Sequence, residues 1–379
     1  MPASLAMARA LKKAGAVVIG SDSIDTTPLS RSSSVDAYIK TPSPSKEPRA
    51  FLERLSQIAF ERKVTHLIPM YEEGYVVSAG LDLLRNAHPG LTIFVDSVAT
   101  LSILDDKWRF VEHCDSLGLR VPKTTIVTSV PALNDALKTF SSTGIVVKPV
   151  FSRFAQGVYI DPSLQDLASI APTEEAPWVV QQRIVGPVAS SYGVCRDGKV
   201  LVHGDYGNDF VVGSKSKQGL GASSSYQPTV LPNSRQFANI LFGSLNYTGQ
   251  YGLDYIISDH GIYCIECNPR ATSGVHMFER DKVYGSLMLG SDQRREPRSS
   301  GSSNHLQLLQ CIFSKEASVF DPKFIKALLS RDVLFSFRDP MPVVAFRDMV
   351  NSMTLAARAQ KRPVTDVFFE DLACEPRLD

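Results

Sequence analysis

Helical and strand-like segments alternate along the first hundred residues, and this alternation restricts the fold more than any other feature of the sequence. Short apolar runs are typical of buried strands, and the longer segments between them have the spacing of amphipathic helices. The predicted order is strand 16–20, helix 49–62, strand 66–69, helix 72–85 and strand 91–95. This order predicts the α/β class, with an open parallel sheet covered by helices.

The start of the pattern is unusual, because the first predicted element is a helix. Residues 4–14 have helical spacing and Gly15 closes the helix, so that 16–20 is the first strand of the pattern. An open parallel sheet usually has a strand before its first helix. We therefore expect a leading strand to be missing, through truncation or a misplaced start codon. The Ala-rich, basic start also leaves a targeting peptide open as an alternative.

Charge and hydrophobicity exclude two classes of partner. Lys and Arg total 40 against 39 acidic residues, which gives a net charge of +1 and no field for nucleic acid or an anionic membrane surface. The apolar runs, such as residues 14–20, are far shorter than the roughly 20 residues of a membrane helix. We therefore expect a globular, cytoplasmic protein with neither nucleic-acid nor membrane partners.

Six cysteines in 379 residues indicate free thiols in a reducing compartment. Cys264 and Cys267 have the C-x-x-C spacing that is typical of zinc and redox sites. They lie in a strand-like run, residues 261–268, where side chains three positions apart are expected to point to opposite faces. We therefore expect no metal or redox site at these cysteines.

The rest of the chain predicts two further parts, with α+β character in the centre, and a small cap. The predicted elements are helix 106–117, strand 124–128, helix 130–140, strand 145–149, strand 178–184, several short strands in 186–229, helix 234–245 and a hairpin of strands 251–257 and 262–268. The polar segment 291–304 predicts a flexible connection. The predicted domains are 1–103, which is Rossmann-like, then 104–180, 181–290, and 291–379, which holds the connection and the cap.

The hairpin carries the strongest chemical signal of the sequence. Glu266 and Asn268 are two residues apart on one strand and share a face, while Asp254 lies nearly opposite on the other strand. Two carboxylates and an amide oxygen suit Mg²⁺, which completes its shell with water and substrate phosphates. The polar outer face of an antiparallel sheet is the alternative that this spacing leaves open.

Three cationic residues and a loop accompany the hairpin. Arg270 ends the strand with a guanidinium that can hold a carboxylate or phosphoryl group through two hydrogen bonds. Lys148 ends an apolar strand, where a charge needs a partner such as a phosphate. Lys107 stands in the first turn of a helix and is by itself typical of an exposed lysine. The loop 151–157 predicts a phosphate-covering turn, although it has only one glycine.

Together these residues resemble the ATP-grasp superfamily over roughly residues 4–277. The resemblance rests on five motifs in order, which are Asp106-Lys107 before a helix, Val147-Lys148-Pro149 before a small-residue loop, the segment 180–186, Gly252-Leu253-Asp254-Tyr255, and Ile265-Glu266-Cys267-Asn268-Pro269-Arg270. Within the superfamily the chain is most similar to stand-alone carboxylate-amine ligases related to the carbamoyl-phosphate synthetase large chain. The resemblance implies the ATP-grasp fold, in which a Rossmann-like domain precedes subdomains A and B.

The resemblance also implies roles for individual residues. Asp254, Glu266 and Asn268 would hold one or two Mg²⁺ ions, with Mn²⁺ as an alternative metal. Lys148 and Arg270 would be catalytic, Lys148 at the α- and β-phosphates of ATP and Arg270 at the transferred phosphoryl group or the substrate carboxylate. The other ATP contacts would come from Lys107, from Ser152, Arg153 and Gly157 in the phosphate loop, and from Gln181, Gln182, Arg183 and Ile184 in the adenine slot.

The implied activity is an ATP- and Mg²⁺-dependent ligase. It would activate a small-molecule carboxylate as an acyl phosphate and join it to an amine or similar nucleophile, releasing ADP and phosphate. A homodimer is an open option for its assembly. The alternative is a degenerate ATP-binding module that senses nucleotide or binds a partner, since Val188 stands where many relatives have a ribose-binding glutamate.

Three further features stay open at this level. Glu72 and Glu73 open a helix, where they could meet an amine substrate or interact with the helix dipole. The Gly/Ser-rich segment 212–225 predicts either a lid over ATP or a surface loop. His276 is interpreted as structural, because the segment after Arg270 does not lead to the Glu-His pair of biotin carboxylases.

Overall fold

The computed structural model describes residues 2–140, 144–152, 157–207, 210–212, 222–297, 301–313 and 318–362, together with Val367. Arg153 and most of the segment 212–225, for which a lid was one prediction, lie outside the described residues. The described elements follow the predicted alternation of helices and strands and form an α/β fold.

The first region holds two separate pairs of parallel strands between helices. Its elements are α1 (Pro2–Lys13), β1 (Ile19–Asp22), β2 (Ala37–Lys40), α2 (Pro48–Arg62), β3 (His66–Leu67), α3 (Glu73–Ala79), α4 (Leu81–Ala87) and β4 (Thr92–Ile93). β1 pairs with β2 and β3 pairs with β4, both in parallel. The parallel pairing is confirmed, but the single continuous sheet predicted for this region is wrong, because none of the described strands joins β1 to β3.

Helix α1 packs into the core of the molecule. Leu5 is fully buried, and the buried Arg9 guanidinium pairs with Glu279 at 2.7 Å and with Asp339 at 2.9 Å. Arg9 also donates to the carbonyl oxygens of Val333 and Leu334. The helix predicted at the start of the chain is therefore confirmed, and its one buried cation joins it to distant parts of the sequence.

The second region is a four-stranded antiparallel sheet with helices beside it. Its elements are α5 (Val98–Asp105), α6 (Lys107–Ser116), β5 (Thr124–Val127), α7 (Val130–Thr139), β6 (Ile145–Pro149), β7 (Tyr159–Ile160), α8 (Leu164–Ala168) and β8 (Trp178–Gln182). The strand order is β5-β8-β6-β7. Leu133 of α7 packs against Val147 and Val180 of the sheet. Lys148 and Gln181 therefore stand on two neighbouring, firmly packed strands.

A seven-stranded sheet dominates the third region. The elements are β9 (Val188–Arg196), β10 (Lys199–Gly207), β11 (Val211–Val212), β12 (Ala222–Ser223), β13 (Ser225–Thr229), α9 (Ser234–Ser244), β14 (Gly249–Ser258), β15 (Gly261–Asn268), a 3₁₀ helix (Ser273–Phe278) and α10 (Lys282–Met288). The sheet order is β15-β14-β9-β10-β13-β16-β17, where β16 (Ser302–Ser303) and β17 (Arg331–Asp332) come from the last region.

Two long strands replace several of the short ones predicted between residues 186 and 229. β9 and β10 have nine residues each and pair along almost their whole length. A Cβ atom at Gly193 would lie 2.1 Å from the Tyr251 ring. The glycine that suggests a break in the sequence instead makes room for a tyrosine, so the strand continues through it.

The last region completes the seven-stranded sheet and adds helices. Besides β16 and β17 it contains α11 (His305–Phe313), α12 (Pro322–Leu328) and α13 (Met341–Gln360). β16 pairs with β13 and with β17. Ser302 and Ser303 therefore belong to a sheet, although the sequence predicts a flexible connection over 291–304. The domain boundaries remain predictions.

The β14–β15 hairpin has the predicted partners but contains a bulge. Asp254 lies opposite Glu266, whereas the next residue, Tyr255, lies opposite Cys264, so Ile265 is the extra residue of β15. Because of this extra residue, Cys264 and Cys267 both point into the core, and their predicted orientation to opposite faces is wrong. The described cysteines are free thiols, as expected.

Candidate functional site

Asp254 and Glu266 form a carboxylate pair at the bulge of the hairpin. They lie directly opposite each other in the register of β14 and β15, and their carboxyl groups share a hydrogen bond. Leu253 and Tyr255, on either side of Asp254, are buried in the core. Both carboxyl groups therefore point away from the core, and both residues are only half-buried. Solvent, and hence a ligand, can therefore reach both residues.

The two carboxyl groups differ in acidity. Desolvation, followed by the negative charge of Glu266, raises the pKa of Asp254. Desolvation acts on Glu266 in the same direction, but the positive charges of Lys107 and Lys148 help to outweigh it, and the pKa of Glu266 is lowered. The pair therefore favours one shared proton over two negative charges.

Asn268 and Ser190 surround the carboxyl group of Asp254. The Asn268 amide nitrogen lies 3.4 Å from Asp254 Oδ2, and its oxygen accepts from Arg270 at 3.0 Å. Ser190 Oγ donates to Asp254 Oδ1 at 2.5 Å. The structure thus brings together the three predicted metal-binding residues. It adds Ser190, which sequence reasoning missed because only the β9–β14 register places it opposite Asp254.

Lys148 approaches the carboxylate pair from the second region. Its side chain is buried, and Nζ donates to the carbonyl oxygen of Ile265, the bulge residue, at 3.4 Å. Burial lowers the pKa of Lys148 to about 8, and the charge of Glu266 opposes this shift. The ammonium group therefore faces the hairpin, across the boundary between the two sheets.

Lys107 is also buried, although its sequence position is typical of an exposed lysine. Asp106 caps helix α6 by accepting from the backbone N–H groups of Trp108 and Arg109. Lys107 Nζ instead donates to the carbonyl oxygens of Val150 and Ser152, at 3.4 and 3.1 Å. Its charge acts on both Lys148 and Glu266. Lys107 therefore belongs to the same charge cluster and lies at the start of the predicted phosphate loop.

Arg270 connects the hairpin to the first region. Its Nε donates to Glu72 at 2.9 Å, across 198 residues of sequence, and the Glu72 side chain is buried. Glu73, the other acid considered for an amine substrate, accepts from the backbone N–H groups of Met70 and Tyr71 instead. Glu72 is therefore the acid that reaches the site, as the partner of the arginine.

The described ends of the predicted phosphate loop lie beside this cluster. Ser152 provides a carbonyl oxygen to Lys107. Gly157 has φ of 69°, in the left-handed region, where a side chain would be strained and a Cβ atom would lie 3.0 Å from Pro149. The single glycine of the loop is therefore required by the backbone. Arg153 lies outside the described residues.

The predicted adenine-binding residues cross from β8 towards β9. Gln181 is buried and donates to Thr124 at 2.8 Å, while Arg183 forms an ion pair with Asp161. Residues that line a cavity of about 370 Å³ include Gln182, Arg183 and Ile184, together with Ile257, Ser258, Asp259, His260 and Tyr263. This segment therefore borders a cavity next to the hairpin, but its Arg183 side chain is held by an acid.

Two features of the wider surroundings limit the site. Burial lowers the pKa of His276 to about 3, so this histidine is neutral, stacked on Tyr226. In the described part of the chain, no group of three or more His, Cys, Asp or Glu side chains could hold a metal ion. A metal at the hairpin would thus rely on two carboxylates and an amide.

No described helix is long and apolar enough to cross a bilayer.

Comparison with known proteins matches the part of the chain that contains the hairpin. Residues 104–274 match the family model of the ATP-grasp domain. The carbamoyl phosphate synthase large chain of Archaeoglobus fulgidus is 22% identical in an alignment of 258 positions that covers 61% of this chain and 24% of that protein. The chain therefore spans about a quarter of the length of that relative, and the resemblance predicted from the motifs is confirmed.

Two solved structures have the same fold. N5-carboxyaminoimidazole synthetase from Staphylococcus aureus, complexed with ADP, has a TM-score of 0.59, 15% identity and 82% coverage of both chains. The biotin carboxylase domain dimer of Hydrogenobacter thermophilus 2-oxoglutarate carboxylase, with MgADP and bicarbonate, has a TM-score of 0.58 and 14% identity, over 79% of this chain and 71% of that one. The chain therefore has the ATP-grasp fold, and its residues 104–274 match the model of the ATP-grasp domain.

Proposed function

We propose that this protein is an ATP- and Mg²⁺-dependent ligase that activates a carboxylate as an acyl phosphate and joins it to an amine or similar nucleophile. One observation carries the proposal, which is that two buried lysines from the second region act on a carboxylate pair of the third region. Such an arrangement suits a triphosphate, because the lysines attract its oxygens while a metal ion links them to the carboxylates.

The residues at the hairpin fit a divalent cation. Asp254 and Glu266 share a hydrogen bond and repel each other when both are ionised, and a cation between them would remove that repulsion. Asn268 now points its nitrogen at Asp254, so its amide would have to turn over to offer oxygen to a metal. Bound Mg²⁺ would neutralise phosphate charge and orient the phosphates.

The proposed reaction needs no nucleophile from the protein. A substrate carboxylate oxygen attacks the γ-phosphorus of ATP, the bond to the β–γ bridging oxygen breaks, and ADP leaves. The amine then attacks the carbonyl carbon of the acyl phosphate, and phosphate leaves with its bonding electrons. In this scheme Lys148 and Lys107 hold the phosphates, and Arg270 stabilises negative charge on the phosphoryl group or the carboxylate.

The solved neighbours support the chemistry in general terms. One is a synthetase complexed with ADP, and the other is a carboxylase domain with MgADP and bicarbonate. For this chain the carboxylate and amine substrates, the homodimer and the Mg²⁺ ion are proposals.

Product analysis tests the proposed reaction. The purified chain is incubated with ATP, Mg²⁺ and panels of carboxylates and amines, and nucleotide products are separated by chromatography. The proposal predicts ADP and phosphate that depend on both substrates. Formation of AMP and pyrophosphate would contradict the acyl-phosphate route.

A second candidate is a nucleotide-binding module without turnover. Val188, where many relatives have a ribose-binding glutamate, is about half exposed at the start of β9 and offers no polar group to a ribose. Calorimetric titration with ATP separates the two candidates when combined with product analysis. Tight ATP binding without ADP formation under every substrate pair would favour the binding module.

A further inference from the structure

Four side chains form a continuous row across one face of the seven-stranded sheet. In the registers of the neighbouring strands, Glu266 of β15 lies opposite Asp254 of β14, and Asp254 lies opposite Ser190 of β9. Ser190 in turn lies opposite Tyr206 of β10. Residues that lie directly opposite each other in antiparallel strands point to the same face of the sheet. The row therefore joins the carboxylate pair of the candidate site to a tyrosine on a more distant strand.

The two hydroxyl residues of the row are more deeply buried than its two carboxylates. The exposed fraction is 4% for Tyr206 and 3% for Ser190, whereas Asp254 and Glu266 are both half-buried. Buried polar groups are almost always hydrogen-bonded. With so little access to solvent, the hydroxyl groups of Tyr206 and Ser190 need their partners within the protein.

The hydrogen bonds along the row have one direction. Ser190 Oγ donates to Asp254 Oδ1 at 2.5 Å, and the Tyr206 hydroxyl also hydrogen-bonds with Ser190. Thr272 lies near the same tyrosine hydroxyl, but its Oγ1 has no hydrogen-bond partner among the described residues. Since a serine hydroxyl has a single proton to donate, Ser190 accepts from Tyr206. The proton of Tyr206 therefore points to Ser190, and the proton of Ser190 points to Asp254.

The protonation of Tyr206 agrees with this direction. Burial, followed by the negative charge of Asp254, raises the pKa of Tyr206. The tyrosine hydroxyl therefore keeps its proton at neutral pH and acts as a donor. A hydrogen bond donated to Ser190 polarises the Ser190 hydroxyl, which strengthens the bond that Ser190 donates to the carboxylate.

Packing holds the Tyr206 ring in one orientation. The ring meets Tyr226 edge to face, with ring centroids 6.1 Å apart. A Cβ atom at Gly274 would lie 2.6 Å from the Tyr206 ring, so the glycine lets the segment after β15 approach the ring closely. Tyr206 is thus fixed by residues outside the carboxylate pair, and its contact with Ser190 connects that fixed position to the pair.

The two carboxylate oxygens of Asp254 consequently have different surroundings. Oδ1 accepts from Ser190, whereas Oδ2 lies 3.4 Å from the Asn268 amide nitrogen. Carboxylates that bind metal ions are commonly oriented by hydrogen bonds from groups that do not touch the metal, and loss of such a group weakens metal binding. Ser190 has the position of such a group, and Tyr206 orients Ser190.

We propose that Tyr206 is a positioning residue of the metal site, which acts through Ser190 to fix the Asp254 carboxylate for a divalent cation. Tyr206 itself contacts neither the metal nor the substrates in this arrangement. The inference rests on the proposed function, because Asp254 and Glu266 bind the cation in both.

Calorimetric titration of the full chain with ADP, over a series of Mn²⁺ concentrations, tests the proposal. The readout is the Mn²⁺ concentration that gives half of the increase in ADP affinity, which reports on the metal site without turnover. Tyr206→Phe should raise this concentration about fivefold, and Ser190→Ala about tenfold. Tyr192→Phe is the matched control and should leave it unchanged, because the buried Tyr192 hydroxyl bonds to Gln250 and Tyr284 instead.

A double variant separates positioning from packing. If Tyr206 acts through Ser190, Tyr206→Phe should have no further effect in a protein that already carries Ser190→Ala, whereas two independent packing defects would add. Additive effects would overturn the proposal, as would equal effects of Tyr206→Phe and Tyr192→Phe. If Ser190→Ala does not fold, the comparison of the two tyrosine variants still decides the question.

Glu266→Gln distinguishes a failure of this proposal from a failure of the proposed function. If Glu266→Gln abolishes the Mn²⁺ effect and Tyr206→Phe leaves it unchanged, Tyr206 is not a positioning residue, while the metal site stands. If Mn²⁺ does not strengthen ADP binding in the parent protein, the metal site itself is wrong, and the role of Tyr206 is overturned with it.

Discussion

Two clusters of charged residues in this molecule differ in how their charges are compensated. Around Arg9, one guanidinium meets two carboxylates and two carbonyl oxygens, with ion-pair distances of 2.7 and 2.9 Å. Around Glu266, two lysines and a second carboxyl group crowd together, and the pKa values of Lys148 and Asp254 are displaced from their ordinary ranges. The first cluster is compensated internally and holds the fold, whereas the displaced pKa values of the second are typical of a functional site, which we propose binds ATP and a metal ion.

The comparison predicts a loss of stability, without a change of chemistry, when the first cluster is broken. Arg9→Met removes the guanidinium from Asp339 and leaves Glu279 with its longer ion pair to Arg280, at 3.5 Å. The free energy of unfolding should fall by about 3–5 kcal/mol. Chemical denaturation measures it. Lys12→Met is the matched control, because Lys12 forms an exposed ion pair with Asp36. Equal losses in both variants would contradict the role assigned to Arg9, as would a lower activity per folded molecule.

Breaking the second cluster should lower the turnover and leave the stability unchanged. Glu266→Gln removes the negative charge of a half-buried side chain, so turnover should fall on the order of a hundred- to a thousandfold. The free energy of unfolding should stay close to that of the parent. Steady-state ADP release measures the turnover. Asp259→Asn, in the exposed turn of the same hairpin, is the control. Parent-like turnover in Glu266→Gln would contradict a catalytic metal site at the hairpin.

A variant of Lys148 tests whether the second cluster binds the phosphates of ATP. Lys148→Ala removes a charge-assisted contact worth about 1.5–3 kcal/mol, so ATP should bind roughly ten- to a hundredfold more weakly. Calorimetry compares this variant with Lys138→Ala, whose lysine is exposed and pairs with Asp135. If both variants bind ATP like the parent, Lys148 does not contact phosphates.

The smallest expected effect is on the pH dependence of stability and comes from the buried His276. Its folded pKa of about 3 is below the ordinary value of 6.5, so the unfolded chain binds a proton first as the pH falls. Its contribution to stability is intact above pH 6.5 and decreases by about 1.4 kcal/mol per pH unit below it. His276→Gln should flatten this dependence between pH 6.5 and 5, whereas His260→Gln, in the exposed turn, should not.

Local sequence spacing predicts much of the site. The register of a short hairpin places Asp254 opposite Glu266, and the apolar run 145–149 identifies Lys148 as a charge that needs a partner. These relations span few residues, so periodicity alone is enough to derive them. The ATP-grasp fold is implied instead by the resemblance of five motifs, in their order along the chain, to that superfamily.

The sequence could not predict the contacts between residues that are far apart along the chain. Nothing near Glu72 indicates Arg270, 198 residues away, and Ser190 meets Asp254 only through the pairing of β9 with β14. The bulge at Ile265 has no local signal either, and it places both Cys264 and Cys267 in the core instead of on opposite faces. The division of the first sheet depends on which strand edges find partners, which is a property of the whole fold.

ATP affinity measured with and without Mg²⁺, in the parent and in Glu266→Gln, tests the central claim most directly. Calorimetry should show that Mg²⁺ strengthens ATP binding about tenfold or more in the parent and has little effect in the variant, because the carboxylate pair holds the metal against the phosphates. The same Mg²⁺ dependence in both proteins would contradict the claim that Asp254 and Glu266 bind the metal of an ATP complex.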